Sequence, residues 1–244
     1  MMSTQDYLDQ YYLHHTRFAE CCGLRVADIE RLIEAQLIPA PSYLVSDTGQ
    51  GKSVVFGEFG EPNLGSVFKP GTYFHPALVV WTKYAFDTLS KHGDDQAKRI
   101  VKARFSEEFT AALVFENQVT YRLPDCFDDT GIAISVGIEQ RINTNWQHFV
   151  NGVFSLCVAK PDSIANIVHK EVLQEKLTTL SGDGKRTDYK GENLHVLYRL
   201  IDDYADSAMP FSPTEFPKSS RKRLVDDVRK TLLDAQQGEW ATHQ

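Results

Sequence analysis

Cysteine is scarce in this chain: Cys21, Cys22, Cys126 and Cys157 are the only four in 244 residues, with no spacing typical of a disulfide framework. That argues against a small stapled secreted domain and for a reducing compartment. Basic charge is also short. Lys and Arg number 26 against 33 Asp and Glu, a formal net charge of −7, which disfavours general binding to nucleic acid or to an anionic membrane. Long apolar runs are missing, and a stretch such as Ala77–Trp81 is far too short to span a bilayer. The opening MMSTQDYLDQYY has neither a basic segment nor an apolar one behind it, so no signal peptide is expected. No internal repeat or low-complexity tract occurs. Catalytic signatures are lacking too: there is no GxSxG, no CxxC and no HExxH. The expectation is a soluble cytoplasmic protein with no membrane partner, no metal and no nameable cofactor.

What is present suffices for a core. Hydrophobic residues make up 42 % and charged residues 24 %, ordinary globular usage, and the length suits one large or two small domains. Tyr7, Leu8, Tyr11 and Tyr12 recur at helical spacing in the segment Thr4–His15. Between Leu44 and Gly71, glycines at 49, 51, 57, 60, 65 and 71 punctuate short β-like runs (Leu44–Val45, Ser53–Phe56, Ser66–Phe68), predicting a hairpin or small sheet. Past His75 the pattern turns helical. Pro76 suits a first helical position, followed by the stripe Leu78, Val79, Trp81, Tyr84, Ala85 and Leu89. Further helices are predicted over Asp95–Glu116, Glu139–Ala159, Pro161–Leu180, Tyr189–Ala208 and Lys218–Gln236, with a loop at Tyr121–Gly137 holding a short strand at Ile132–Val136. Ser181–Asp188 is a turn, and Met209–Pro217 a proline-punctuated connector.

The segment Thr16–Tyr43 has the order of a helix-turn-helix. Phe18, Ala19 and Cys22 give a first helix its buried side, Gly23 permits a turn of positive φ, and Val26, Ile29, Leu32 and Ile33 give a second helix its packing face. Leu37 and Ile38 close the unit before Pro39. This order resembles the start of MerR-type winged helix-turn-helix domains, in which a β wing follows a Leu-Ile-Pro-Pro turn. The resemblance implies an exposed recognition helix carrying Arg25, Asp28 and Arg31. Residues 1–45 nevertheless hold three basic side chains (Arg17, Arg25, Arg31) against six acidic ones (Asp6, Asp9, Glu20, Asp28, Glu30, Glu34), a poor surface for phosphate neutralisation. Reuse of the unit for packing or protein contact is the leading expectation, and DNA contact through Arg25 and Arg31 the alternative. Separately, Pro41-Ser42-Tyr43, the stretch Trp146–Cys157 running into Lys160-Pro161, and PFSPTEFPKSSRKRLVDDVR at Pro210–Arg229 resemble an uncharacterised bacterial family, some members of which are linked to natural-product biosynthesis.

Other motifs weaken on inspection. Gly51-Lys52-Ser53 resembles the end of a P-loop, but Ser46 stands where a glycine is required and a strand-like run follows instead of a helix, so a wing tip is expected. Asp202-Asp203-Tyr204-Ala205-Asp206 spells DDxxD, yet little chain remains for a second metal-binding helix, and a solvated helix face explains it better. His14, His15, Cys21 and Cys22 lack metal-ligand spacing. His75, His148, His169 and His195 are scattered, and Cys157 reads as a buried, inert thiol. The densest basic run, Ser219-Ser220-Arg221-Lys222-Arg223, joins a helix-capping serine to arginines and so is the preferred anion site.

These observations predict a mainly α protein with a winged helix-turn-helix-like unit and short β segment at 1–71, packed on a multi-helix domain at 72–244. The expected function is that of a cytosolic binding or accessory protein tied to specialised metabolism. It would hold an anionic small molecule or a protein partner, with Ser219, Ser220, Arg221 and Arg223 as the anion contact and Tyr43 and His148 as pocket members. A ligand-responsive transcription regulator is the first alternative, and an enzyme with an unrecognised site the second.

Overall fold

A computed structural model describes residues 3–59, 68–186 and 192–241. The chain opens with α1 (Thr4–Tyr11), whose start is fixed by a capping box: the Asp6 amide donates to Ser3 Oγ at 3.1 Å and the Ser3 amide to the Asp6 carboxylate at 3.0 Å. A two-residue strand β1 (Leu13–His14) leads into α2 (His15–Cys22) and α3 (Val26–Glu34). Gly23 at φ 71° ends α2 in the left-handed conformation, turning the chain so that Phe18, Ala19 and Cys22 face Ile29 and Leu32.

Four short strands follow: β2 (Tyr43–Val45), β3 (Gly51–Ser53), β4 (Gly57–Phe59) and β5 (Gly71–Phe74). With β1 they form an antiparallel sheet in the order β1-β5-β2-β3-β4. Period-2 alternation places Tyr43 and Val45 inward and Leu44 outward. The predicted β content is thus present, with different strands. Ser53–Phe56 begins as β3 and becomes the turn into β4, Gly51-Lys52-Ser53 is strand rather than wing tip, and positions 66 and 67 of the Ser66–Phe68 run lie outside the described residues, as do Gly60 and Gly65.

The remainder is helical: α4 (Leu78–His92), α5 (Asp94–Val119), α6 (Ser135–Val150), α7 (Val153–Cys157), α8 (Ile164–Leu180), α9 (Glu192–Ser207) and α10 (Val228–Ala241), the last entered through a π-helical turn at Lys222–Asp227. Mainly α is therefore the observed class. The stripe predicted from Leu78 to Leu89 is largely buried, with Leu78, Trp81, Ala85 and Leu89 inside. One helix is two: the segment predicted as Glu139–Ala159 breaks at Gly152, φ 78°, between α6 and α7. A Cβ there would lie 2.5 Å from the Ala40 carbonyl oxygen, so glycine is demanded by both conformation and close backbone approach. The predicted strand at Ile132–Val136 reduces to a single bridge between Phe127 and Ala133 before α6 begins. Of the helix predicted at Tyr189–Ala208, residues 189–191 lie outside the described part.

One apolar core runs from Phe18 and Ile29 through Phe74, Trp81 and Phe105 to Trp146 and Ile167, crossing the 71/72 boundary at which composition divides the chain; β5 itself spans that boundary. A second cluster joins α8, α9 and the start of α10 through Leu177, Ile201, Tyr204, Leu224 and Val228. A third gathers Tyr7, Tyr12, Tyr43, Tyr73, Leu156 and Met209 under the sheet. Gly152→Ala is expected to cost about 2 kcal/mol or more, from positive φ and the clash with Ala40. Urea denaturation measures it, and an unchanged midpoint would refute the assignment.

Candidate functional site: a pinned histidine between two clefts

The long helix α5 buries Phe105, Phe109, Ala112 and Leu113, and the same 3–4 spacing carries Glu116 onto that inner face. Glu116 is only 4 % exposed, so its carboxylate needs a partner. The partner comes from α8, which starts at its Ser163 cap and buries Ile164, Ile167, Val168, Val172 and Leu173 against α5. At the margin of this face sits His169, whose Nδ1 lies 2.9 Å from Glu116 Oε1. The other carboxylate oxygen has no hydrogen bond of normal geometry, although the Thr120 hydroxyl is near enough to help hold the group ionised.

This contact fixes the imidazole and leaves Nε2 for the surface. Two adjacent clefts of about 290 Å³ each meet there, and both are lined by His169 and Asp203. The first is completed by Lys160, Asn166, Asp206 and Ser207. Its floor is the bridge between Val158 and Ala208, where the Ala159 amide donates to the Ser207 carbonyl at 2.9 Å. The second is lined by Val119, Leu173, Val196 and Leu200 together with Lys176 and Arg199. Lys176 Nζ donates to the Thr120 carbonyl at 2.8 Å, and Arg199 Nε to His195 Nε2 at 3.2 Å, which leaves most N–H donors of both cations unspent.

The electrostatics follow the geometry. The Glu116 hydrogen bond raises the His169 pKa above its ordinary value; burial opposes the shift, and the charges of Glu116 and Asp203 add to it. Burial is the largest single influence on Glu116 and would raise it, but the hydrogen bond to His169, the Thr120 hydroxyl and the charge of His169 together outweigh it and hold the carboxyl below the usual range. His75 is different: burial pushes it down to about 4, leaving a neutral structural histidine.

The residues singled out by sequence lie elsewhere. Ser219 is buried, accepting from the Lys222 amide and donating to the Phe216 carbonyl, so it caps the following turn. Ser220 bonds Tyr204 Oη at 2.7 Å. Arg221 is bound to the carbonyls of Ala205 and Ala208 at the end of α9, and Arg223 is paired with Asp183. The serines and arginines of this run thus have protein partners. Tyr43 is fully buried and donates to Glu215 Oε2 at 2.6 Å, whereas His148 is exposed on α6 with its ring edge-on to Phe154. The structure does not bring these two together in either cleft. Arg25 forms a double hydrogen bond with Asp28, and Arg31 an ion pair with Asp94 at 2.9 Å. Of the DDxxD run, Asp203 and Asp206 face the first cleft while Asp202 pairs with Arg229. Among the described residues no group of three His, Cys, Asp or Glu side chains is placed to hold a metal. All four cysteines are unpaired, and burial pushes the Cys157 thiol up to about 11.

The site was missed because its parts are 53 and 34 residues apart along the chain. The one available signal was Glu116, a carboxylate three positions beyond Leu113 on an apolar stripe. The fold and site define a mainly α protein with two adjacent clefts, and comparison with known families gives the class. Residues 101–233 match the model of a family of unknown function (DUF6058), 133 of 244 residues, and the chain belongs to that family. No match was found among curated proteins or among solved structures. Every residue of the two clefts, and Glu116 behind them, lies inside the matched segment.

The signs of the two shifts set a pH window. A raised His169 pKa stabilises the fold fully below about 6.5, its ordinary value, and that contribution is lost as pH rises through the folded value. A lowered Glu116 pKa contributes above about 4.5 and is lost as pH falls through its own folded value. The pair therefore contributes most between about pH 4.5 and 6.5. Because the ring is 45 % exposed and water screens it, the sensitive readout is NMR titration of the imidazole. His169 should titrate above 6.5 and fall toward 6.5 in Glu116→Gln; titration at or below 6.5 in the parent protein would remove the pairing argument.

Proposed function

We propose that this chain is a cytosolic binding protein for a small ligand, held at the paired clefts that His169 and Asp203 separate. The observation that carries the reading is the ring of His169, oriented by a buried carboxylate from another helix so that Nε2 is a preorganised donor or acceptor at the wall of both clefts. A perturbed titratable pair in a concave site is the physical pattern expected of ligand recognition. It supports binding better than catalysis because His169 is hydrogen-bonded to no hydroxyl or thiol among the described residues; Ser207, which shares the first cleft, donates to the Tyr204 carbonyl. The unpaired cysteines suit a reducing compartment, and among the described residues no helix is long and apolar enough to cross a membrane. A role in specialised metabolism rests on the resemblance carried by residues 41–43, 146–161 and 210–229.

A second reading has one observation in its favour. The order α1-β1-α2-α3-β2-β5, with β5 between β1 and β2 in the sheet, supports a winged-helix reading in which the β3–β4 hairpin would serve as the wing. We read the N-terminal unit as winged-helix-like and used for packing and protein contact. Its helix α3 presents Asp28, Glu30 and Glu34 beside arginines already paired with acidic partners, which is unfavourable for phosphate contact.

Two measurements test these readings. Members of a polar fragment library should shift the His169 imidazole resonances and raise the melting temperature, with both responses lost in His169→Ala; a library that leaves His169 unmoved would sink the binding reading. Fluorescence anisotropy with random-sequence duplex DNA at about 50 and 200 mM salt should show no binding at either concentration. Tight, salt-sensitive binding abolished by Arg25→Ala/Arg31→Ala would establish the regulator instead.

A further inference from the structure

We infer that the second cleft selects an amphipathic monocarboxylate, its carboxylate between Lys176 and Arg199 and its apolar body against Val119, Leu173, Val196 and Leu200. This inference rests on the binding reading above and specifies its ligand class. The division of chemistry within the cleft carries it. The same cleft is lined by four apolar side chains and by two cations with unspent donors. Val119 and Val196 are 61 % and 53 % exposed, large apolar surfaces left open to water beside a charged pair. A ligand that was only an anion would leave them uncovered, and one that was only apolar would strip water from Lys176 and Arg199 without compensation.

The charge count selects a monoanion. Lys176 and Arg199 contribute two positive charges and Asp203 on the shared wall one negative charge, a balance of +1 before any proton on His169. A singly charged carboxylate matches that balance, whereas a phosphate dianion would meet Asp203 with excess charge. The planar fork of Arg199 suits a carboxylate in two-point contact, while Lys176, anchored on the Thr120 carbonyl, offers a point charge with two remaining donors. His169 Nε2 provides a third contact at the wall, and Asp206 with Asn166 in the neighbouring cleft provides acceptors for any hydroxyl or amine at the ligand's far end.

Isothermal titration calorimetry on the full chain, with 4-phenylbutyrate, 4-phenylbutyramide and phenyl phosphate as probes, tests the assignment. The carboxylate should bind at least tenfold more tightly than the isosteric amide and more tightly than the phosphate, and raising salt from about 50 to 200 mM should weaken it. Lys176→Gln and Arg199→Gln should each reduce its affinity about three- to tenfold, since the contacts are partly exposed, with unchanged melting temperatures showing that the variants fold. Equal affinity for carboxylate and amide, or variants that bind as the parent does, would overturn the inference. Failure of the carboxylate alongside polar fragments that still shift His169 would overturn it while leaving the binding reading intact. Failure of both would remove both.

Discussion

Among the described residues two carboxyl side chains, Glu116 and Glu215, are buried, and the need to give each a partner organises much of what surrounds them. Glu116 and Glu215 are 4 % and 2 % exposed. A buried carboxyl without hydrogen bonds costs several kcal/mol, so each acts as a fixed demand on the fold. Glu116 is met by His169, 53 residues away, which sets α5 against α8 and orients the imidazole between the clefts. Glu215 is met by Ser212 at 2.7 Å and by Tyr43, 172 residues away, so that the connector between α9 and the π-helical turn is held against strand β2. Burial, then the neighbouring Tyr12, Tyr7 and Glu215, push the Tyr43 hydroxyl far above its ordinary pKa, which keeps it a donor. The connector accepts strain in return: Phe211 stands at φ 62°, its ring packed edge-on against Phe56 at 5.5 Å.

The basic run at 218–223 shows how local chemistry is redirected by tertiary context. Serines ahead of arginines at a helix start are good anion chemistry in isolation. In the folded chain the unsatisfied carbonyls at the end of α9 lie closer than any solute, and Arg221 takes those of Ala205 and Ala208. Arg223 meets Asp183 from the turn after α8. The run thus works as glue between α9, that turn and the start of α10. Lys176 and Arg199, which keep donors to spare, stand singly in the sequence on helices α8 and α9.

Legibility in the sequence follows the same division. Features determined within a few residues were readable: the helical spacing of Tyr7, Leu8 and Tyr11 in α1, the Gly23 turn, the α4 stripe from Leu78 to Leu89 and the mainly α class. Features that need a distant neighbour were not. Gly152 reads as a tolerable helix glycine until the Ala40 carbonyl is seen against it. Strand β1 has two residues and exists only because Phe74 and Tyr73 pair with it across the sheet. The DDxxD run reads as one chemical unit, yet helical geometry splits it, sending Asp202 to Arg229 and Asp203 and Asp206 to the cleft. His169 sits among other histidines with nothing nearby in sequence to single it out. Only the apolar stripe continuing onto Glu116 hinted that a partner was required.

The extent of the family match bears on how the two ends of the chain depend on each other. Residues 101–233 contain both clefts, Glu116, His169 and also Glu215, whereas Tyr43 and the five-stranded sheet lie outside it. The two clefts are thus assembled wholly from α5, α8, α9 and the segment joining α7 to α8, and none of their lining comes from the N-terminal unit. The dependence is instead structural, through a buried oxygen of Glu215 that takes its proton donor from β2. Asp206 and Ser207 of the first cleft belong to the last turn of α9, whose end carbonyls Arg221 binds six residues after Glu215. A shift of that turn therefore has a short covalent and hydrogen-bonded route to Glu215 and Tyr43.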